Sequence, residues 1–296
     1  MERKDHIDLF GGTALLLISL VLGLNQVAVK VTNAGLQPVF SAGLRSVLAF
    51  VLVLGYALWV RKRLSVRDGS LLPGLISGCL FAVEFIFLFL ALDHTTVARV
   101  SIFFYTMPVW MAIGAHFFVP GDRINLQKAL GLILAVAGVV WAMSDRSDGG
   151  GGVLGDILTV VGAMLWAAIG LMTRTTGLGK SVPEMQLLYQ LGVSAVILVP
   201  LSLAFGPLIR DFQPIHFLTF GFMVVIVVSI GFVVWFWVLS IYPASAMASW
   251  AFLAPVFGVI FGWLILGEEI GLTIVGALVL VSAGIVLINR KPRKKP

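Results

Sequence analysis

The sequence predicts an all-α membrane protein, with ten transmembrane helices arranged as two inverted five-helix repeats. Of its 296 residues 59% are hydrophobic and 11% charged, against roughly 45–50% and about 25% in soluble domains; the mean hydropathy is +1.06. Apolar runs recur along the chain, each of about 20 residues and so long enough to cross roughly 30 Å of hydrocarbon. The second half repeats the first at an offset of about 145 residues, and a repeat after an odd number of spans reverses orientation.

Each span follows from a run and its breaks. The first, 10–30, is longer than a signal-peptide core and lacks a small-x-small cleavage site, so it reads as a retained helix; it holds Asn25 and Gln26 and closes at Lys30. Pro38 opens the second, 38–60, which encloses Arg45 and stops at Arg61-Lys62-Arg63. The third, 71–92, encloses Glu84. The fourth, 96–118, carries Ser101, Tyr105 and Pro108, and Gly121-Asp122-Arg123 separates it from the fifth, 124–143. A linker over 144–152, ending in four glycines, joins the first repeat (10–143) to the second (153–289). There the spans are 153–174 with Trp166, 183–205 opened by Pro183, 214–239 with Trp235, 244–266 with Trp250 and Pro255, and 270–289. The tail 290–296 is basic.

An even number of spans puts both termini on one side. Loops on that side, with the tail, collect most of the Lys and Arg, whereas the other side has Lys30, Arg99, Arg146 and Arg210. The positive-inside rule therefore predicts cytoplasmic termini. The net charge of +6 is concentrated at the tail and these loops, which favours contact with the lipid bilayer over nucleic acid. The single cysteine, Cys79, excludes an intramolecular disulfide. With no CxxC, HExxH or Gly-Lys-Ser/Thr motif, no metal, cofactor or ATP site is expected.

Four matches in order establish the repeat. Pro38-x6-Arg45 aligns with Pro183-x6-Gln190, Met107-Pro108-Val109 with Ala254-Pro255-Val256, Gly121-Asp122-Arg123-Ile124 with Gly267-Glu268-Glu269-Ile270, and Ala137-Gly138-Val139 with Ala283-Gly284-Ile285. Two five-helix halves, the Pro-Val pairs, the Gly-[Asp/Glu] loops, and Lys30 and Arg174 closing helices one and six resemble the EamA repeat of the drug/metabolite transporter superfamily. In length and in its aromatic-rich second half the chain is most similar to bacterial aromatic amino acid exporters. The first half departs from the pattern at Leu22-Gly23, where the family has Trp-Gly; Trp166 holds the matching place in helix six. The resemblance implies a secondary transporter of the bacterial inner membrane that exports aromatic and other apolar amino acids. Export of another metabolite or drug is the alternative; a channel or a membrane-embedded enzyme is more remote.

Ionisable groups inside a span are costly, and Arg45 and Glu84 lie at matching depths in theirs. Either they form a static ion pair, or Glu84 faces a cavity where it binds a substrate amine or exchanges a proton, with Arg45 or a helix dipole as partner for the carboxylate. One buried carboxylate permits proton coupling without requiring it. Glu84 aligns with Gly231 and Leu88 with Trp235, so a cavity-facing Glu84 predicts a cavity-facing Trp235 and an outward Trp237. The stripes Ser101–Tyr105 and Ser249, Trp250, Phe252 suit either an apolar ring or helix packing; Asn25, Trp166 and Met172 complete the candidate binding residues. Pro108 and Pro255, each near the middle of its span, are expected to kink helices at repeat-equivalent positions, as fixed bends or as hinges for alternating access. Nothing in the sequence sets the oligomeric state, and a monomer suffices for this reading.

Overall fold

A computed structural model describes residues 8–144, 152–242, 250 and 252–289. Most of the linker, Ser249 and the basic tail lie outside them.

The helices are α1 (Leu9–Gly35), α2 (Pro38–Trp59), α3 (Leu71–His94), α4 (Val97–Phe104), α5 (Met107–Phe118), α6 (Leu126–Ser144), α7 (Val153–Thr175) and α8 (Pro183–Ser202). Then α9 (Pro214–Gly221) continues through a π-helical stretch, Phe222–Ile230, into α10 (Gly231–Ile241), followed by α11 (Leu253–Leu266) and α12 (Leu272–Asn289). Among the described residues there is no strand, only an isolated bridge between Leu36 and Ile209. Eight helical stretches, with α4–α5 taken as one, have the length and composition to cross a membrane; Pro214–Ile230 and Leu253–Leu266 are shorter apolar helices.

Local chemistry sets the ends. Pro38, Pro183 and Pro214 start their helices where no backbone donor is lost. Asp8 caps α1 by accepting the Gly11 N–H at 2.9 Å, and Thr96 caps α4 by accepting the Arg99 N–H at 3.2 Å.

Two expectations about helix interiors are corrected. The span 96–118 is not one helix kinked at Pro108: it breaks at Tyr105–Thr106, where Thr106 N–H bonds back to Phe103 at 3.2 Å. Pro108 thus falls in the first turn of α5, where its missing N–H costs nothing. Pro255 likewise occupies the first turn of α11. Each proline begins a helical segment instead of bending one from within. The π-helical stretch was not anticipated; its run Val224-Val225-Ile226-Val227-Val228 crowds an α-turn with β-branched side chains, and Ser229 Oγ bonds five residues back to the Val224 carbonyl at 2.8 Å.

Packing follows small residues. α6 lies on α12, α2 on α8, α3 on α7 and α8, α1 on α11 and α9, and α4 on α11 and α7. At the α1–α11 crossing a Cβ on Gly23 would come within 2.8 Å of the Gly258 nitrogen, so only glycine allows the approach. Gly74 and Gly78 similarly receive Tyr189 and Val193 of α8.

The bundle has two distinct ends. At the basic end, Lys62 pairs with Glu184 at 2.8 Å, and Asp122 with Lys128 and, at 2.8 Å, with Arg174. The bonds to Glu184 hold the Lys62 ammonium above the ordinary lysine value. Bonds from Lys128 and then Arg174 outweigh desolvation and hold the Asp122 carboxyl below the ordinary carboxylate value. A depressed carboxylate contributes stability above its unfolded value, about 3.9, and loses it as pH falls through the lower folded value. Asp122→Asn is therefore expected to cost at most about 1 kcal/mol at pH 7, given solvent screening. In thermal-unfolding scans in detergent its difference from wild type should disappear only below about pH 4.

Candidate functional site

Midway along the bundle α2, α3, α4 and α7 meet around side chains that an apolar interior would not ordinarily hold. Arg45 and Glu84 are each 2% exposed. The Arg45 guanidinium lies over the Phe85 ring at 4.0 Å from its centroid and near Phe89 at 5.1 Å, a cation–π seat on the helix that carries Glu84. No ion pair joins Arg45 to Glu84 among the described residues. Arg45 Nε and Glu84 Oε2 are both buried with no hydrogen-bond partner. The static ion pair considered from the sequence is thus not what forms; two opposite charges share one site with bonding capacity unspent. Such groups are expensive to bury.

Aromatic rings adjoin these charges. Trp166 of α7 stacks on Phe104 at 4.9 Å with planes 14° apart, and Tyr105 meets Trp166 edge-on at 6.4 Å. Phe104 and Phe89 belong to one apolar cluster against which Phe85 and Trp166 pack. Gly162, one turn before Trp166, faces the Glu84 carbonyl and the Phe104 ring, with room there for a Cβ at ordinary contact distance. The break after Phe104 frees Tyr105 from a helical register and leaves it buried beside Gln26 of α1. Asn25 Oδ1 and Gln26 Oε1 are also buried without partners.

Other candidates fall elsewhere. Ser101 faces Gly258, where an added Cβ would strike its Oγ, at the close crossing of α4 and α11, and that Oγ too is buried without a partner. Trp235 and Trp250 pack with Leu15, Ile18 and Tyr242 near the start of α1, a cluster separate from Glu84. Trp235 thus does not lie at the depth of Glu84. The helix carrying it runs opposite to α3, so the step that takes Leu88 away from the basic end takes Trp235 toward it. Trp237 is 39% exposed and meets Phe10 edge-on.

Sequence reasoning passed over the end opposite the basic loops. Arg99, read from the sequence as a residue of the loops on that side, and Asp156 are fully buried. Arg99 Nη2 donates to Asp156 at 2.8 Å, Nε donates to the same carboxylate, and Thr95 Oγ1 donates to it at 3.0 Å. Glu268 accepts the N–H groups of Val97 and Ala98 at 2.7 and 2.9 Å, placing a negative charge at the positive end of α4. Lys30 donates to the Leu92 and Thr95 carbonyls, and Arg210 pairs with Asp93 at 2.9 Å. The Gly-Glu loop was visible as a repeat match, but its partner on a distant helix was not. His216 is buried and accepts the Gln213 N–H through Nδ1.

Among the described residues no group of His, Cys, Asp and Glu is placed to hold a metal. The EamA-like transporter family model matches residues 9–144 and again 153–290. An uncharacterized transporter, YoaV, of Bacillus subtilis is 25% identical over 91% of this chain and 93% of its own length. Proteins named "probable amino-acid metabolite efflux pump" from Escherichia coli and Salmonella typhimurium are 27% and 26% identical, over 95% and 97% of this chain and 94% and 95% of theirs. A solved crystal structure superposes with a TM-score of 0.65 at 19% identity, covering 94% of each chain; that likeness speaks to fold alone.

Proposed function

The chain belongs to the EamA-like transporter family, and from that premise we propose that it exports aromatic and other apolar amino acids by alternating access about the Arg45–Glu84 site. The observation that carries this reading is the pair of opposite, unmated charges beside an aromatic wall. A zwitterionic amino acid brings an ammonium for Glu84, a carboxylate for Arg45, and a ring for Phe85, Trp166 and Tyr105. Asn25 and Gln26 offer acceptors for the remaining ammonium protons. The names of the Escherichia coli and Salmonella relatives agree with the substrate class. Trp235 and Trp250 would line the path from the basic end, and Ser101 would serve the helix contact behind the site.

Ten spans in two inverted repeats, 10–143 and 153–289, accord with the packing. α2 packs on its repeat counterpart α8, and α6 on α12; α3 lies on α7 as α9 lies on α1, and α4–α5 lie on α7 as α11 lies on α1. That is the pairing a pseudo-two-fold axis generates. Alternating access then needs one closed end at a time. The latch of Arg99, Asp156 and Glu268 closes the end opposite the basic loops, while repeat-equivalent Asp122 holds Arg174 at the other. The breaks before Pro108 and Pro255 serve as hinges. The basic end faces the cytoplasm of a bacterial inner membrane.

Uptake into liposomes containing the purified protein tests the reading. Labelled phenylalanine, tryptophan and methionine are expected to enter saturably, faster when unlabelled substrate is preloaded inside, whereas glutamate is not. Imposing a proton gradient distinguishes coupled transport from exchange. Absence of saturable uptake of any apolar amino acid would overturn the substrate assignment, and non-saturating flux would indicate a channel.

A further inference from the structure

Away from the central site an apolar groove of about 640 Å³ opens between α2, α3 and α8. It runs along α8 from Met185 to Ile197, about 18 Å at the rise of an α-helix. Gly192 gives it depth: a Cβ there would press to 3.1 Å from the Phe50 ring, which forms the opposite wall. Its end at the basic face is lined by Leu64 and Val66, from the loop joining α2 to α3.

That loop carries the charge. Arg61, Arg63 and Arg67 are exposed, and none of the three has an ion-pair partner among the described residues. Lys62, between them, is already committed to Glu184. Arg63 and Arg67 flank in sequence the two residues that line the groove, so free cations stand at the mouth of an apolar slot whose length suits one acyl chain. Basic pockets between helices on the positive side recognise anionic headgroups. A neutral lipid would use the slot and leave the arginines unmatched; a soluble anion would do the reverse.

We propose that this groove is a binding site for one anionic phospholipid, with an acyl chain along α8 and its phosphate at Arg63 and Arg67. Native mass spectrometry of the full-length protein, delipidated and offered equal amounts of phosphatidylglycerol and phosphatidylcholine with identical acyl chains, tests it. One phosphatidylglycerol is expected to be retained in preference. Each cation near a membrane surface contributes roughly fivefold, so the double variant Arg63→Gln/Arg67→Gln, altering only exposed side chains, should reduce that preference about 25-fold. Val196→Trp, at a position 75% exposed and lining the groove, should reduce retention of both lipids. Equal retention of the two lipids by wild type, or an unchanged preference in the arginine variant, would overturn the headgroup assignment. Undiminished binding to Val196→Trp would overturn the groove. None of these outcomes depends on what the central site transports.

Discussion

Glu84→Gln is expected to lower the transport rate of phenylalanine by roughly 10–150-fold, the range given by losing one hydrogen bond to a charged group. The same substitution should cost less stability than Asp156→Asn, because Glu84 makes no ion-pair contact among the described residues. Glu84 Oε2 has no partner in the folded chain, so the carboxamide forfeits no bond there, and the relief of removing one buried charge is offset by leaving Arg45, buried in the same site, without its opposite charge. A large loss of activity with a small loss of stability is the signature of a group kept for function. Arg45→Gln should impair transport to a similar degree and lose some stability, because the guanidinium seated on Phe85 and Phe89 contributes about 0.5–2 kcal/mol. Parallel thermal unfolding and liposome flux on the two variants check both statements. A Glu84→Gln protein with full transport would remove this carboxylate from the site.

Asp156→Asn is expected to be the most damaging single change to stability. Arg99 and Asp156 are fully buried and joined through two guanidinium nitrogens. Neutralising the acid leaves a buried arginine without its counter-charge, a loss of about 3–5 kcal/mol for pairs of this kind. Thr95 keeps an acceptor in the asparagine, so its own hydrogen bond survives. The variant should show a lowered unfolding midpoint in detergent and reduced membrane yield. Exchanging both partners for apolar residues, Arg99→Met with Asp156→Leu, should recover most of the loss, because the burial penalty leaves with the charges. If the double variant were no better than Asp156→Asn, the damage would lie in packing, not in the stranded charge.

How much of this was legible in the sequence depended on the range of the interaction. Hydropathy placed the ends of α2 and α8 at Pro38 and Pro183 because a proline start is a local signal. It could not separate a kink at Pro108 from a break before it, since both give the same apolar run; the distinction rests on Tyr105 and Thr106 leaving the helix. Arg45 and Glu84 were visible because a charge inside twenty apolar residues has no local explanation. That they would not pair with each other depends on Phe85 and Phe89 seating the guanidinium, which no spacing in α2 discloses. Arg99 and Asp156 were missed for the converse reason: each lies within a turn of a helix end, where a charge needs no explanation until a neighbouring helix covers it. Trp235 shows the limit of repeat arithmetic, because an inversion reflects depth along the bundle.

The central claim is that the unmated charges of α2 and α3 receive the two ends of a zwitterion. Isothermal titration of the purified protein with phenylalanine, with phenethylamine, which lacks the carboxylate, and with 3-phenylpropionate, which lacks the amine, tests it most directly. Wild type is predicted to bind phenylalanine at least about tenfold more tightly than either analogue. Glu84→Gln should erase only the preference over 3-phenylpropionate, and Arg45→Gln only the preference over phenethylamine. Equal affinity of wild type for all three ligands, or an identical loss of both preferences in each variant, would contradict the assignment of these two charges to the substrate.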